Sequence, residues 1–154
     1  MKSVSRTLFT RLAALLLFGA LSACATLNPE TAGEENPVVL AYTEAFNARD
    51  AMTMGEMMHE DIEWLSITDD GVEYVALGRD DLVRDMKDYF EYPNAVTSKL
   101  SGWALAGPYV STAETVAWTD EDGVSQTQSA LVVYEVTDDQ HIRRIWYYPA
   151  VDAE

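Results

Sequence analysis

Two glutamates in the C-terminal half of the sequence could act as an acid or a base. Both fall in segments that alternate between apolar and polar residues, the pattern of a β-strand in which every second side chain shares a face. Glu114 shares its face with Trp118, and Glu135 shares its face with Leu131 and Val133. A carboxyl group in an apolar cavity can transfer protons, so both glutamates are candidate catalytic residues. The alternative is that both faces meet solvent at a sheet edge.

Aromatic residues also occur in several of the predicted strands. They are Trp64, Trp118, Tyr134, Trp146 and Tyr148. A curved sheet turns some such side chains toward a common pocket, which would suit a small apolar or aromatic molecule. The alternative is that these side chains only fill the core.

The sequence contains no signature of a metal or cofactor site. The two histidines, His59 and His141, lie at the ends of predicted elements, and Cys24 is the only cysteine. No glycine-rich phosphate loop, CxxC or HExxH motif occurs. We therefore expect no metal and no cofactor.

The N-terminus has the pattern of an export signal. Three basic residues within the first eleven precede an uncharged run at 12–21, which is shorter than the roughly 20 residues that span a bilayer. The following Leu-Ser-Ala-Cys at 21–24 resembles the lipobox of bacterial lipoproteins, in which the cysteine is acylated and becomes the new N-terminus. This predicts a signal peptide at 1–23 and an acylated Cys24 with a flexible tether at 24–36. Since Ala25 rather than Asp follows the cysteine, we expect outer-membrane sorting that faces the periplasm.

The charge of the chain limits its partners. The full sequence has a formal net charge of -16, and loss of the three basic residues with the signal peptide lowers this to about -19. Nucleic acids are therefore excluded as partners, because their affinity for proteins comes largely from Lys and Arg contacts with phosphate. The membrane is expected as a partner only through the lipid anchor.

The order of elements predicts one α+β domain at 37–151. Helical spacing runs from Pro37 to Asp50 and is followed by a short methionine-rich helix, and a third helix opens at Asp80 or Asp81. Predicted strands cover 62–67, 72–77, 96–106, 109–119, 126–137 and 141–148. Such an order favours a curved antiparallel sheet with helices on one face.

This order resembles the nuclear transport factor 2-like superfamily, also called SnoaL-like or cone-fold, which includes polyketide cyclases and ketosteroid isomerase. The resemblance is carried by the segments at 42–50 (YTEAFNARD), 59–64 (HEDIEW), 78–82 (GRDDL) and 142–149 (IRRIWYYP). It implies a cone-shaped, strongly curved, mostly antiparallel sheet with about three helices packed on its concave side. It also implies a pocket, and homodimers are common in the superfamily.

The resemblance to ketosteroid isomerase does not extend to its proton-transfer residue. Tyr42 falls at the position of the isomerase tyrosine that donates to an oxyanion, but Ser66 falls at the position of its aspartate base. A serine hydroxyl does not abstract protons at neutral pH without activation. The predicted ligand pocket comprises Tyr42, Trp64, Ser66, Trp118, Tyr134 and Trp146.

The leading hypothesis is a membrane-anchored periplasmic domain that binds a small hydrophobic molecule. One alternative is a cyclase, isomerase or hydratase that uses a buried acid. Another is an interaction module that forms a homodimer or docks to an envelope complex.

Replacement of Cys24 by Ser tests the predicted anchor. Because the thiol is the acylation site in lipoproteins, we expect Cys24→Ser to abolish metabolic labelling with palmitate. The wild-type chain in the same host is the control. Continued labelling of the variant would contradict the assignment.

Overall fold

The structure is a computed structural model that describes residues 33–92, 96–120 and 122–152. The predicted signal peptide, Cys24 and most of the predicted tether lie outside these residues. Within the described ranges, no helix combines the length and the hydrophobicity that crossing a membrane requires.

The described residues form three helices, and polar side chains cap the first two of them. They are α1 (Pro37–Asn47), α2 (Ala51–Glu56) and α3 (Arg79–Phe90). The Asn36 side chain accepts hydrogen bonds from the first free N–H groups of α1, and the Asp50 side chain does the same for α2. The predicted first helix extended through Asp50, but α1 ends at Asn47. The reason is that Arg49 adopts a left-handed backbone (φ 57°), which redirects the chain into α2.

Seven strands form one sheet. They are β1 (Met58–Thr68), β2 (Gly71–Leu77), β3 (Thr97–Ala106), β4 (Tyr109–Thr119), β5 (Ser125–Val136), β6 (Ile142–Tyr147) and β7 (Val151–Asp152). The strand order is β2-β1-β6-β5-β4-β3, with β7 paired to β5. Only the β1–β6 pairing is parallel among these strands. The predicted fold class, an α+β domain with a curved and mostly antiparallel sheet, is confirmed.

One face of the sheet is covered by the helices and is called the inner face here. Register places Trp64, Ile145 and Tyr134 side by side across β1, β6 and β5. Tyr134 is 1% exposed, and its ring meets that of Tyr42 from α1 edge to face. Leu82 from α3 belongs to the same buried cluster. The core therefore lies between this face and the helices.

The opposite, outer face carries an ion-pair network. Register aligns Glu63, Arg144 and Glu135 across β1, β6 and β5, one residue out of step with the inner row. Arg144 donates to Glu63 at 2.5 Å and to Glu135 at 2.8 Å. Since all three side chains are partly solvent-exposed, this network contributes modestly to stability.

The chain just before α1 is fixed to the sheet. The backbone N–H of Gly33 donates to the carbonyl oxygen of Trp103 in β3 at 3.3 Å. The end of the predicted tether is thus part of the folded domain.

Gly55 allows α2 to pack closely against α3. A Cβ added at this position would lie 2.7 Å from Cγ2 of Val83, and valine in a helix has one strongly preferred rotamer. We expect Gly55→Ala to lower the free energy of unfolding by about 1–3 kcal/mol, despite the better helix propensity of alanine. Urea unfolding of Gly55→Ala in the wild-type and Val83→Ala backgrounds measures this effect. An equal cost in both backgrounds would rule out the contact with Val83 as its cause.

Candidate functional site

A cavity of about 370 Å³ lies between the helices and the inner face of the sheet. This volume is within the range of small-molecule sites, roughly 300–1,000 Å³. The cavity is lined by Tyr42, Thr43, Phe46, Trp64, Met86, Tyr89, Val96, Glu114, Val116, Trp118, Tyr134 and Tyr147. Seven of these residues are aromatic and one, Glu114, is acidic, so the lining is mostly apolar, with a few hydroxyl groups and a single carboxyl group.

The aromatic rings of the lining pack on one another. Trp64 and Tyr147, from neighbouring strands, have ring centroids 5.6 Å apart. Phe46 from α1 stacks on Tyr89 from α3 at 6.2 Å. Aromatic pairs at such distances attract one another beyond simple burial. The walls of the cavity are therefore held in place by contacts within the lining itself.

Glu114 lies on the inner face of β4 and is only 7% exposed. The hydroxyl of Ser98, on the neighbouring strand β3, donates to Glu114 Oε1. Ser98 is itself held by Asn47 at the end of α1. The Asn47 Nδ2 group donates to the Ser98 carbonyl oxygen at 2.8 Å, and the Ser98 N–H donates to Asn47 Oδ1 at 2.7 Å. Glu114 Oε2 is buried and has no hydrogen-bond partner among the described residues.

Three tyrosines of the lining are held in the neutral form. Burial raises the pKa of Tyr42, Tyr134 and Tyr147, and the nearby Glu114 carboxylate raises each of them further. Their hydroxyl groups are therefore uncharged hydrogen-bonding groups at neutral pH. Glu114 is the one acidic residue among the described residues of the lining.

Four residues of the predicted pocket lie around this cavity: Tyr42, Trp64, Trp118 and Tyr134. Trp146 does not, and its prediction is corrected. Trp146 pairs with Val133 on the outer face, where the centroid of its ring lies 6.2 Å from that of Tyr109. The next residue in β6, Tyr147, lines the cavity instead.

Ser66 is the second correction to the predicted pocket. Alternation places it on the same face as Trp64, and it pairs with Tyr147 across β1 and β6. However, its short side chain is not part of the lining, whereas the rings of Trp64 and Tyr147 are.

Glu135 is also corrected as a candidate acid of the pocket. It lies on the outer face and bonds to Arg144 at 2.8 Å. A carboxylate that is paired with a guanidinium on the opposite side of the sheet cannot reach a ligand in the cavity. Of the two candidate glutamates, only Glu114 lies at the site.

Several lining residues were not predicted. They are Thr43, Phe46, Met86, Tyr89, Val96, Val116 and Tyr147. Phe46 and Tyr89 belong to apolar stripes of predicted helices, which was the available signal. The sequence alone did not show that these stripes meet over the sheet.

The histidines take no part in the site. His59 Nδ1 accepts from the N–H of Asp61, and His141 lies near Asp139, both away from the cavity lining. Within the part of the chain that the structure describes, no cluster of three or more His, Cys, Asp or Glu residues could hold a metal ion.

The sequence matches no protein-family model and no curated protein. The fold is nevertheless similar to solved structures. A cystatin-fold protein from Novosphingobium aromaticivorans has a TM-score of 0.59 and 20% identity, with 71% of this chain and 93% of that chain covered. A protein with a ketosteroid isomerase-like fold from Catenulispora acidiphila, in complex with trimethylamine, has a TM-score of 0.64 and 12% identity, covering 75% and 87%. A Mycobacterium tuberculosis protein in complex with estradiol-17beta-hemisuccinate has a TM-score of 0.60 and 13% identity, covering 73% and 90%.

Identities this low establish a shared fold and nothing more specific. The similarity supports the resemblance to the nuclear transport factor 2-like superfamily at the level of the fold. Activity and ligand must be argued from the site of this chain.

The buried tyrosines predict a two-phase alkaline titration. A raised pKa means that the folded state holds its phenol protons more tightly than the unfolded state, whose tyrosines titrate near pH 10. The stability that these groups contribute is fully present below about pH 10 and falls as the pH rises toward the folded pKa values. Of the eight tyrosines, Tyr42, Tyr134 and Tyr147 should form phenolate only as the protein unfolds.

Phenolate absorbance and circular dichroism, recorded on the same samples, measure this behaviour. Tyr134→Phe should remove one tyrosine from the late phase, and protein unfolded in guanidinium chloride gives the one-phase control. Ionisation of all eight tyrosines before any loss of structure would contradict the burial of these phenols.

Proposed function

We propose that this protein is a lipid-anchored protein of the periplasm whose cone-fold domain binds a small hydrophobic molecule. The observation that carries the proposal is the cavity of about 370 Å³ between α1, α3 and the sheet, with seven aromatic residues in its lining. Burial of a ligand's apolar surface against such walls supplies most of the affinity of a small-molecule site.

The construction of the cavity supports binding rather than simple core packing. Fully packed interiors leave few voids larger than a water molecule. Here the sheet and helices surround a much larger volume, while Val39, Ile62, Leu82 and Ile142 fill the core around it. One structurally similar protein is in complex with a steroid ester and another is in complex with trimethylamine, so proteins with this fold form complexes with small organic molecules.

Anchoring in the envelope rests on the sequence. The basic start, the uncharged run and Leu-Ser-Ala-Cys at 21–24 occur in the order of a lipoprotein signal. We propose outer-membrane attachment through Cys24, with the domain on the periplasmic side.

Acid–base catalysis is the second candidate function, and Glu114 favours it. Its Oε2 is unpaired in the cavity beside tyrosine hydroxyls that stay protonated. A proton acceptor beside neutral hydroxyl groups that donate hydrogen bonds is an arrangement that a cyclase, isomerase or hydratase can use. Catalysis would change the bound molecule, whereas simple binding would leave its mass and structure intact.

Tryptophan fluorescence tests the binding site through a matched pair of variants. The full-length chain carrying Cys24→Ser avoids detergent and acyl chains that would compete for the cavity. We expect an apolar aromatic probe such as estradiol to quench the emission at micromolar concentration. Trp64→Ala should weaken binding by about 1–3 kcal/mol, because a large apolar wall is lost.

The control is Trp146→Ala, which removes the same kind of side chain from the outer face. It should leave the affinity unchanged. Equal effects of the two variants, or no binding by the wild-type chain, would contradict the assignment of the cavity. Chromatography and mass spectrometry of the recovered probe distinguish binding from catalysis in the same samples.

A further inference from the structure

Glu114 is unusual because it places one unpaired carboxyl oxygen in an otherwise neutral cavity. The residue is 7% exposed, and Oε2 has no hydrogen-bond partner among the described residues. Among the described residues of the lining, none is Lys, Arg or His. No ion pair within the described ranges includes Glu114. The carboxyl group is therefore held by Ser98 and lies near the Tyr147 hydroxyl, without a cationic partner among the described residues.

An unpaired buried polar oxygen destabilises the empty protein. Leaving such a group without a partner costs free energy, and the cost is larger when the group is charged. A ligand that donates a hydrogen bond to Oε2 would recover this free energy. A positively charged donor would recover more, since a hydrogen bond between ions is roughly twice as strong as a neutral one.

The surroundings of Glu114 favour a cation over a neutral donor. Trp64, Trp118, Tyr134 and Tyr147 line the same cavity, and the faces of such rings attract cations. Because the tyrosines stay uncharged, no second anion competes with the carboxylate. The strongly acidic chain adds a long-range attraction for positive ligands.

We propose that the ligand is a protonated amine on an apolar or aromatic body, with its N–H group on Glu114 Oε2 and its body between the aromatic walls. The inference rests on the proposed function and narrows it to a class of ligand. A neutral molecule without a hydrogen-bond donor would contact the walls but leave Oε2 unpaired, and a neutral hydroxyl would pair with it more weakly than an ammonium group.

Calorimetry with matched probes tests the proposal on the full-length chain carrying Cys24→Ser. The probes are 2-naphthylmethylamine, its neutral isostere 2-ethylnaphthalene, and 2-naphthylacetate as an anion. The amine should bind about tenfold or more tightly than the neutral probe, and the anion should bind most weakly. This comparison needs no variant, so it holds even if a change at Glu114 impairs folding.

Glu114→Gln then assigns the preference to this residue. It should reduce the affinity for the amine to that for 2-ethylnaphthalene, while the affinity for 2-ethylnaphthalene is kept. Glu73→Gln is the matched control, because it removes one negative charge from an exposed strand residue. Its preference for the amine should equal that of the parent chain.

The outcomes separate this inference from the proposed function. Equal binding of the amine and the neutral probe would overturn the inference and leave the hydrophobic site standing. Equal losses in the two glutamine variants would attribute the preference to overall charge and also overturn it. Failure of every probe to bind would contradict both.

Discussion

The hydrogen bonds between Asn47 and the backbone of Ser98 join the end of α1 to β3, and the site depends on them. β3 is the last strand of the sheet order, so one row of its backbone N–H and C=O groups lacks a strand partner. The Asn47 amide satisfies one N–H and one C=O of that row. The same residue, Ser98, then donates its hydroxyl to Glu114. These hydrogen bonds thereby join α1 to β3 and orient the carboxyl group of Glu114, the one acidic residue among the described residues of the lining.

Most of the fold follows from the sequence because local signals agree with the final structure. Alternation locates five of the strands closely, and Asp-Asp-Gly at 69–71 gives the turn between β1 and β2. The start of β1 was missed, since His59, Glu60 and Asp61 are polar although Met58 pairs with β6. The break after α1 was missed as well. A left-handed arginine leaves no mark in a sequence pattern, because few residues other than glycine signal that conformation.

The candidate site was less predictable, for a physical reason. Alternation tells which side chains share a face but not which face the helices will cover. Trp146 and Tyr147 are adjacent aromatic residues of β6, and a helical layer on the other side would have exchanged their roles. Glu114 and Glu135 looked alike in sequence for the same reason. The surroundings of each glutamate depend on strand register and on the position of Arg144. Both are set by contacts between distant parts of the chain, so no short segment of the sequence reveals them.

The hydrogen bond from Gly33 to Trp103 limits the distance between the domain and the membrane if Cys24 is acylated. Gly33 lies only nine positions after the cysteine. A chain of that length reaches at most about 30 Å when fully extended. The domain would then stay within a few nanometres of the bilayer surface. It would diffuse in two dimensions together with the lipids. Within that layer, the concentration that matters is the one at the membrane surface, where apolar amines accumulate with their charge among the headgroups.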